Sequence, residues 1–288
     1  MKEFTLTDIN TSYSCYNQFA NLYAKLNDID FENITINLNN WFGANMSAVL
    51  GGILDKISIL NSISIASNKS LILSILKKNN FLANYGYEKV PDTNGTTIKY
   101  LKLKPTESRY FNDYVMNELL SQSALPEMSD ALRKKIAESI YEIFVNAQIH
   151  SGTDYIYTCG QFFPNKHKIE FTIVDMGLGF KNIINNRFKL SKTITSTQAI
   201  KWAVVDGHTT KTDVSGGLGL SLLEEFIKLN GGKFQIISDD GFYELGTTEN
   251  TAFLETAFPG TIVNMEFRTD DVHSYSLSSE VNNIEDIF

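Results

Sequence analysis

Glu142-Ile143-Phe144-Val145-Asn146, Asp175-Met176-Gly177-Leu178-Gly179 and Gly216-Gly217-Leu218-Gly219-Leu220 follow one another in the second half of the chain, and they decide how it is read. The first lies in a run over 130–150 with apolar residues at helical spacing. The second follows a strand-like stretch at 168–174, and the third opens a helix over 218–229. Glu138, Glu142 and Asn146 are four apart and share one helix stripe, beside an apolar stripe of Ile136, Ile140, Ile143 and Ala147. A solvated face accounts for Glu138. It does not account for Asn146, a mediocre helix former set among better ones.

An amide oxygen pointing from a helix toward a triphosphate suits magnesium, which prefers oxygen ligands and keeps several waters. Glu142, one turn earlier, can orient and deprotonate a hydroxyl or a water. Asp175 before Met176-Gly177 has turn composition. As a site residue, its carboxylate accepts a hydrogen bond from an adenine amino group, and guanine presents an acceptor at that edge. Gly177 and Gly179 let the backbone pass close beneath the purine. Gly216, Gly217 and Gly219, with Leu218 and Leu220, start a helix whose free amides and dipole favour phosphate; a tight packing turn is the plainer alternative. Just upstream, Thr209 and Thr210 offer hydroxyls and Lys211 a cation. Thr261, after Pro259-Gly260, begins the last strand and is expected to hydrogen-bond near Asp175. His150 is read as balancing the negative helix end rather than touching phosphate. Together these residues predict a site for ATP and magnesium.

The remaining chain bounds this reading. Its 288 residues suit two domains, with 43% hydrophobic and 20% charged residues, as in globular proteins. A net charge of -8 does not favour nucleic acid or anionic membranes. Cys15 and Cys159 make neither metal spacing nor a disulfide framework, so a reduced cytoplasmic setting is expected. The first residues lack a signal-peptide core, and no apolar run is long enough for a bilayer. Strand patterns at 34–38, 62–66 and 96–103 alternate with helical ones at 45–59 and 69–82, and a boundary is expected at 105–108. Further strands are expected at 155–162, 168–174, 233–238 and 261–267. The long stretch 180–215, with a helix at 197–205, reads as a lid. The segment 269–288 has five acidic residues and no Lys or Arg, and is expected to be disordered. The fold class is therefore α+β, an α/β sandwich, divided as 1–106, 107–268 and 269–288.

Over residues 111–268 the three segments resemble the N, G1 and G2 boxes of the GHKL ATPases, the superfamily of gyrase, the ninety-kilodalton heat-shock chaperone, histidine kinases and MutL. The resemblance implies a Bergerat fold: a mixed sheet with helices on one face and ATP held under a mobile lid. It places Asn146 on magnesium, Asp175 on adenine, the glycines at the phosphates and Glu142 at the base of the hydrolysing members. Asn146-Ala147-Gln148-Ile149-His150-Ser151 is similar to histidine kinases and anti-sigma-factor serine kinases. No helical hairpin with a phosphoacceptor histidine is read before it, so a conventional sensor kinase is not expected. Residues 1–104 resemble a STAS-like domain, with Ser67 and Ser70 near the relevant helix start. Three functions follow: a regulatory ATPase acting as a protein-interaction switch, an anti-sigma-like serine/threonine kinase, or an ATP-holding module without chemistry. A protein partner and a nucleotide-dependent homodimer are implied by analogy.

Overall fold

A computed structural model describes residues 1–189, 194–205 and 218–280. The chain starts with β1 (Lys2–Ile9), where Asp8 at φ +56° makes a bulge that turns Ile9 back into the core. In α1 (Tyr13–Leu26), Tyr16, Phe19, Ala20 and Leu26 form one buried stripe. β2 (Asn33–Phe42) alternates buried Ile34, Ile36 and Leu38 with more open Thr35 and Asn37. α2 (Ser47–Ile57) is buried around most of its circumference, which requires layers on both sides of it. β3 (Ser62–Ala66) and α3 (Ser70–Lys78) complete this part. The three strands form a parallel sheet in the order β1-β2-β3, with Phe4 opposite Ile36 and Ile36 opposite Ile65. Parallel neighbours need crossover connections, and α1 and α2 provide them. β1 and α1 are additions to the elements expected from sequence.

Next come β4 (Thr97–Leu103), α4 (Ser108–Tyr114), β5 (Glu127–Met128) and α5 (Asp130–Asn146). They are followed by β6 (Ile156–Phe163), β7 (Lys168–Asp175), α6 (Phe180–Phe188), α7 (Ser196–Val204) and α8 (Leu218–Leu229). A long hairpin of β8 (Lys233–Leu245) and β9 (Glu249–Arg268) leads to β10 (Ser274–Tyr275). A five-stranded sheet runs β4-β6-β7-β9-β8, antiparallel at every pairing. One face is covered by α4, α5 and α8, where Phe111 and Phe144 stack at 4.5 Å. The other face meets α1 and α2 through Tyr100, Tyr157, Phe242 and Phe258. The result is four layers: sheet, helices, sheet, helices.

The mixed α/β class is as expected, but four details differ. The larger sheet is antiparallel rather than mixed, and it carries helices on both faces rather than one. The expected boundary at 105–108 falls after a strand that pairs with β6, so β4 joins the second sheet. The cause is in β4 itself: Ile98 and Leu103 face one core and Tyr100 the other, as only a strand covered on both faces can. The stretch 269–280 is ordered, because Tyr275 and Leu277 pack on the core under α8 and β10 pairs with β5. Ile284, Ile287 and Phe288 lie outside the described residues. Helix α5 starts at a Ser129 cap, whose Oγ accepts from the Leu132 amide.

A buried polar seam joins the upper layers to the large sheet. Asn264 accepts from Thr172 at 2.8 Å and donates to Gln235 at 3.0 Å. Gln235 also accepts from Tyr16 Oη and donates to the Thr11 carbonyl. Asn45 donates to Thr172 at 3.1 Å. Asn264→Leu would leave the Thr172 hydroxyl without its acceptor and Gln235 Oε1 with Tyr16 as its remaining donor, and a buried unmet polar group costs about 1–3 kcal/mol. The expected result is a loss of ~3 kcal/mol in stability, seen as a lower urea midpoint at unchanged slope.

Candidate functional site

Three chain segments meet at the end of β7. α5 presents Glu142 and Asn146, then continues as a π-helical turn over Ala147–Ser151 that Gly152 ends at φ +65°. Such turns recur where a helix must aim side chains into a site. Ser151 secures the turn by donating to the Ala147 carbonyl at 2.6 Å, and its own carbonyl accepts from the Leu178 amide. Thr153 Oγ1 accepts from the Met176 amide at 3.3 Å. The end of α5 is thereby stitched to the 175–179 loop.

Asp175 closes β7 opposite Thr261 on β9, and both are buried. Its Oδ1 accepts from the Gly177 amide at 3.0 Å. Loss of water pushes the Asp175 carboxyl up to about 7, against the opposing pull of the Gly177 amide, the Ser151 hydroxyl and Lys56. Thr261 shares a 3.2 Å hydroxyl contact with Ser238, whose Oγ accepts from the Phe180 amide that starts α6. Two glycines are required here. A Cβ on Gly177 would lie 2.1 Å from the Ser151 carbonyl oxygen. Gly260, at φ +143°, would put one 2.0 Å from the Asp175 carbonyl oxygen.

The cleft above these residues opens to solvent and leaves about 80 Å³ for the centres of water-sized molecules. Glu142, Asn146, Asp175, Leu220 and Thr261, all expected from sequence, line it together. Gly177 sits in the adjoining loop, and Gly179 precedes α6 against the Asp239 carboxylate. Leu218 and Gly219 begin α8. Thr209, Thr210, Lys211, Gly216 and Gly217 lie outside the described residues. His150 also lines the cleft, nearer the site than a purely helix-capping role requires.

The rest of the wall, Ser151 apart, is apolar and was not expected: Phe180, Ile183 and Ile184 from α6, Trp202 from α7, and Ile173, Phe234 and Ile236 from the sheet are among its residues. The spacing of Phe180, Ile183 and Ile184 is the one available sequence signal, and it reads equally well as a core-facing helix. Among the described residues there is no cluster of three or more His, Cys, Asp or Glu suited to a metal. A magnesium ion held by one amide oxygen, phosphates and water needs no such cluster. A largely apolar cleft with the buried Asp175 carboxylate in its wall has the chemistry to take a purine, and Asn146 that of a single protein ligand to a nucleotide-bound cation. No protein-family model matches this chain, and no curated protein matches it.

Proposed function

We propose that the cleft binds magnesium-ATP and that the protein is a regulatory ATPase, using nucleotide to control a protein-interaction surface. The observation that carries this reading is the convergence of Glu142, Asn146, Asp175, Leu220 and Thr261 on one apolar cleft, although they are spread over some 120 residues of chain. Asp175 accepts from the adenine amino group, with Thr261 beside it. Asn146 holds the magnesium ion, which neutralises the phosphates. Glu142 takes the proton of the attacking water. On this reading the five-stranded sheet, β4 included, and its helices belong with the GHKL ATPases as a variant of the Bergerat fold, and the three-stranded sheet with α1 to α3 is a STAS-like unit. The antiparallel sheet and the covered second face are departures from the superfamily pattern. A protein partner, a nucleotide-dependent homodimer and a cytoplasmic location belong to the same proposal.

Ser67, near the helix start where a STAS-like unit would carry its phosphoacceptor, donates to the Leu38 carbonyl at 2.6 Å and accepts from the Lys69 amide. That engagement favours a switch over a kinase acting on its own N-terminal part. Labelled ATP tests the choice. Free phosphate supports the ATPase, label on a protein supports the kinase, and bound but intact ATP supports the holding module. Asn146→Ala is expected to weaken magnesium-ATP binding about 100-fold, the scale of a charge-assisted contact removed from a buried site. It should leave metal-free ATP binding nearly unchanged, a difference that titration calorimetry with and without magnesium resolves.

A further inference from the structure

The helix α7 does not hang loosely over the cleft. Thr195 and Gln198 form a reciprocal cap at its start. Ser196 Oγ donates to Asp240 on the β8–β9 hairpin, and Lys201 pairs with Glu249 at 2.6 Å. Gly241 allows the close approach: a Cβ there would lie 2.9 Å from Ile200 Cδ1 and from Ser196. From this seat α7 presents Trp202, half-buried, into the cleft wall. Phe188 from α6 braces the indole in a T-shaped pair, with ring centroids 5.4 Å apart and planes at 73°. An aromatic wall is therefore in place before any ligand arrives. The ligand class that profits from a rigid indole beside aliphatic Ile183 and Ile184 is one with a flat aromatic ring.

We infer that Trp202 is a specificity-determining residue, stacking on the base of the bound nucleotide so that affinity depends on an aromatic ring and not on the triphosphate alone. The inference rests on the nucleotide reading above and adds to it the group that grips the base. Stacking on a protein aromatic strengthens binding of one base by roughly 10- to 100-fold.

The test uses the full chain with magnesium, titrated with ATP and separately with inorganic tripolyphosphate. Trp202→Ala is expected to lose 10- to 100-fold in ATP affinity, Trp202→Phe to recover most of it, and tripolyphosphate binding to be unchanged in both. A second measurement does not depend on the variants being fully stable. In Trp41→Phe, Trp202 is the remaining tryptophan, and its emission is expected to be quenched by ATP and not by tripolyphosphate. Equal losses for both ligands, an unchanged ATP affinity in Trp202→Ala, or absence of base-dependent quenching would overturn the inference while leaving the ATP site intact. Wild-type protein that binds tripolyphosphate but gains nothing from the base overturns it as well. Wild-type protein that binds neither ligand overturns the nucleotide reading itself.

Discussion

Asp175→Ala is expected to lower ATP affinity about 100-fold, because a buried carboxylate hydrogen-bonded to an amino group contributes on the order of 1.5–3 kcal/mol. Selectivity is expected to go with it: the wild type should discriminate against GTP, whose carbonyl would face the carboxylate, and the variant should not. Equal binding of GTP and ATP by the wild type would remove the role given to this residue. The site also carries a pH signature. Burial holds the Asp175 carboxyl up to about 7, so acidification from pH 8 to 6 protonates the acceptor and ATP binding weakens.

Stability moves the other way. A free aspartate titrates near 4, so this group's folded value is raised above its unfolded one. Its stabilising contribution is fully present below pH ~4 and is lost as pH rises through ~7. Asp175→Asn keeps the shape and removes the charge. It is expected to stabilise the unliganded protein by on the order of 2–4 kcal/mol at pH 8, and hardly at all at pH 4. Urea titrations at the two pH values measure this; equal effects would mean that the carboxylate is better solvated than its 6% exposure implies.

The second large effect concerns Glu142. It lies one helical turn before Asn146 on α5 and lines the same cleft, which on the proposed reading puts it beside the magnesium-bound phosphates. Glu142→Ala is expected to keep ATP affinity within a few-fold while phosphate release falls by about 10²–10⁴, the usual contribution of a general base. Single-turnover measurements separate this from slow product release. Normal turnover in the variant would move the base elsewhere, with His150 the next residue to examine because it faces the same cleft.

What the sequence discloses about the site, and what it hides, has a physical pattern. Asn146 and Asp175 are legible because each is polar against its local context, one inside a helix and one at the end of an apolar strand. Trp202 and Ile184 are not, since an apolar side chain on an amphipathic helix looks the same whether it faces a core or a ligand. β4 is legible as a strand but not by its partner, because pairing with β6 is a non-local property. Asp239-Asp240-Gly241 has the composition of a turn, which suggests a strand ending at 238. In the fold Asp239 sits at φ +53° in a bulge, and β8 runs on to Leu245. The acidic residues after 268 suggest disorder, yet Asp271 accepts from Tyr275 Oη at 2.6 Å and from Asn230 at 2.8 Å, and Tyr275 and Leu277 reach the core. Composition averaged those anchors away.

The two bare glycines in the middle of α2 have a consequence for how such a molecule can change over time. A Cβ on Gly51 would come within 2.3 Å of Tyr100 Oη, and one on Gly52 within 3.0 Å of Met176, the neighbour of Asp175. Helix α2 is thus moulded to one face of the large sheet and, at Gly52, to the rear of the 175–179 loop. The two parts therefore change together: a larger residue at Gly52 has to be met by a smaller one at Met176, and on the proposed reading it disturbs the cleft from behind.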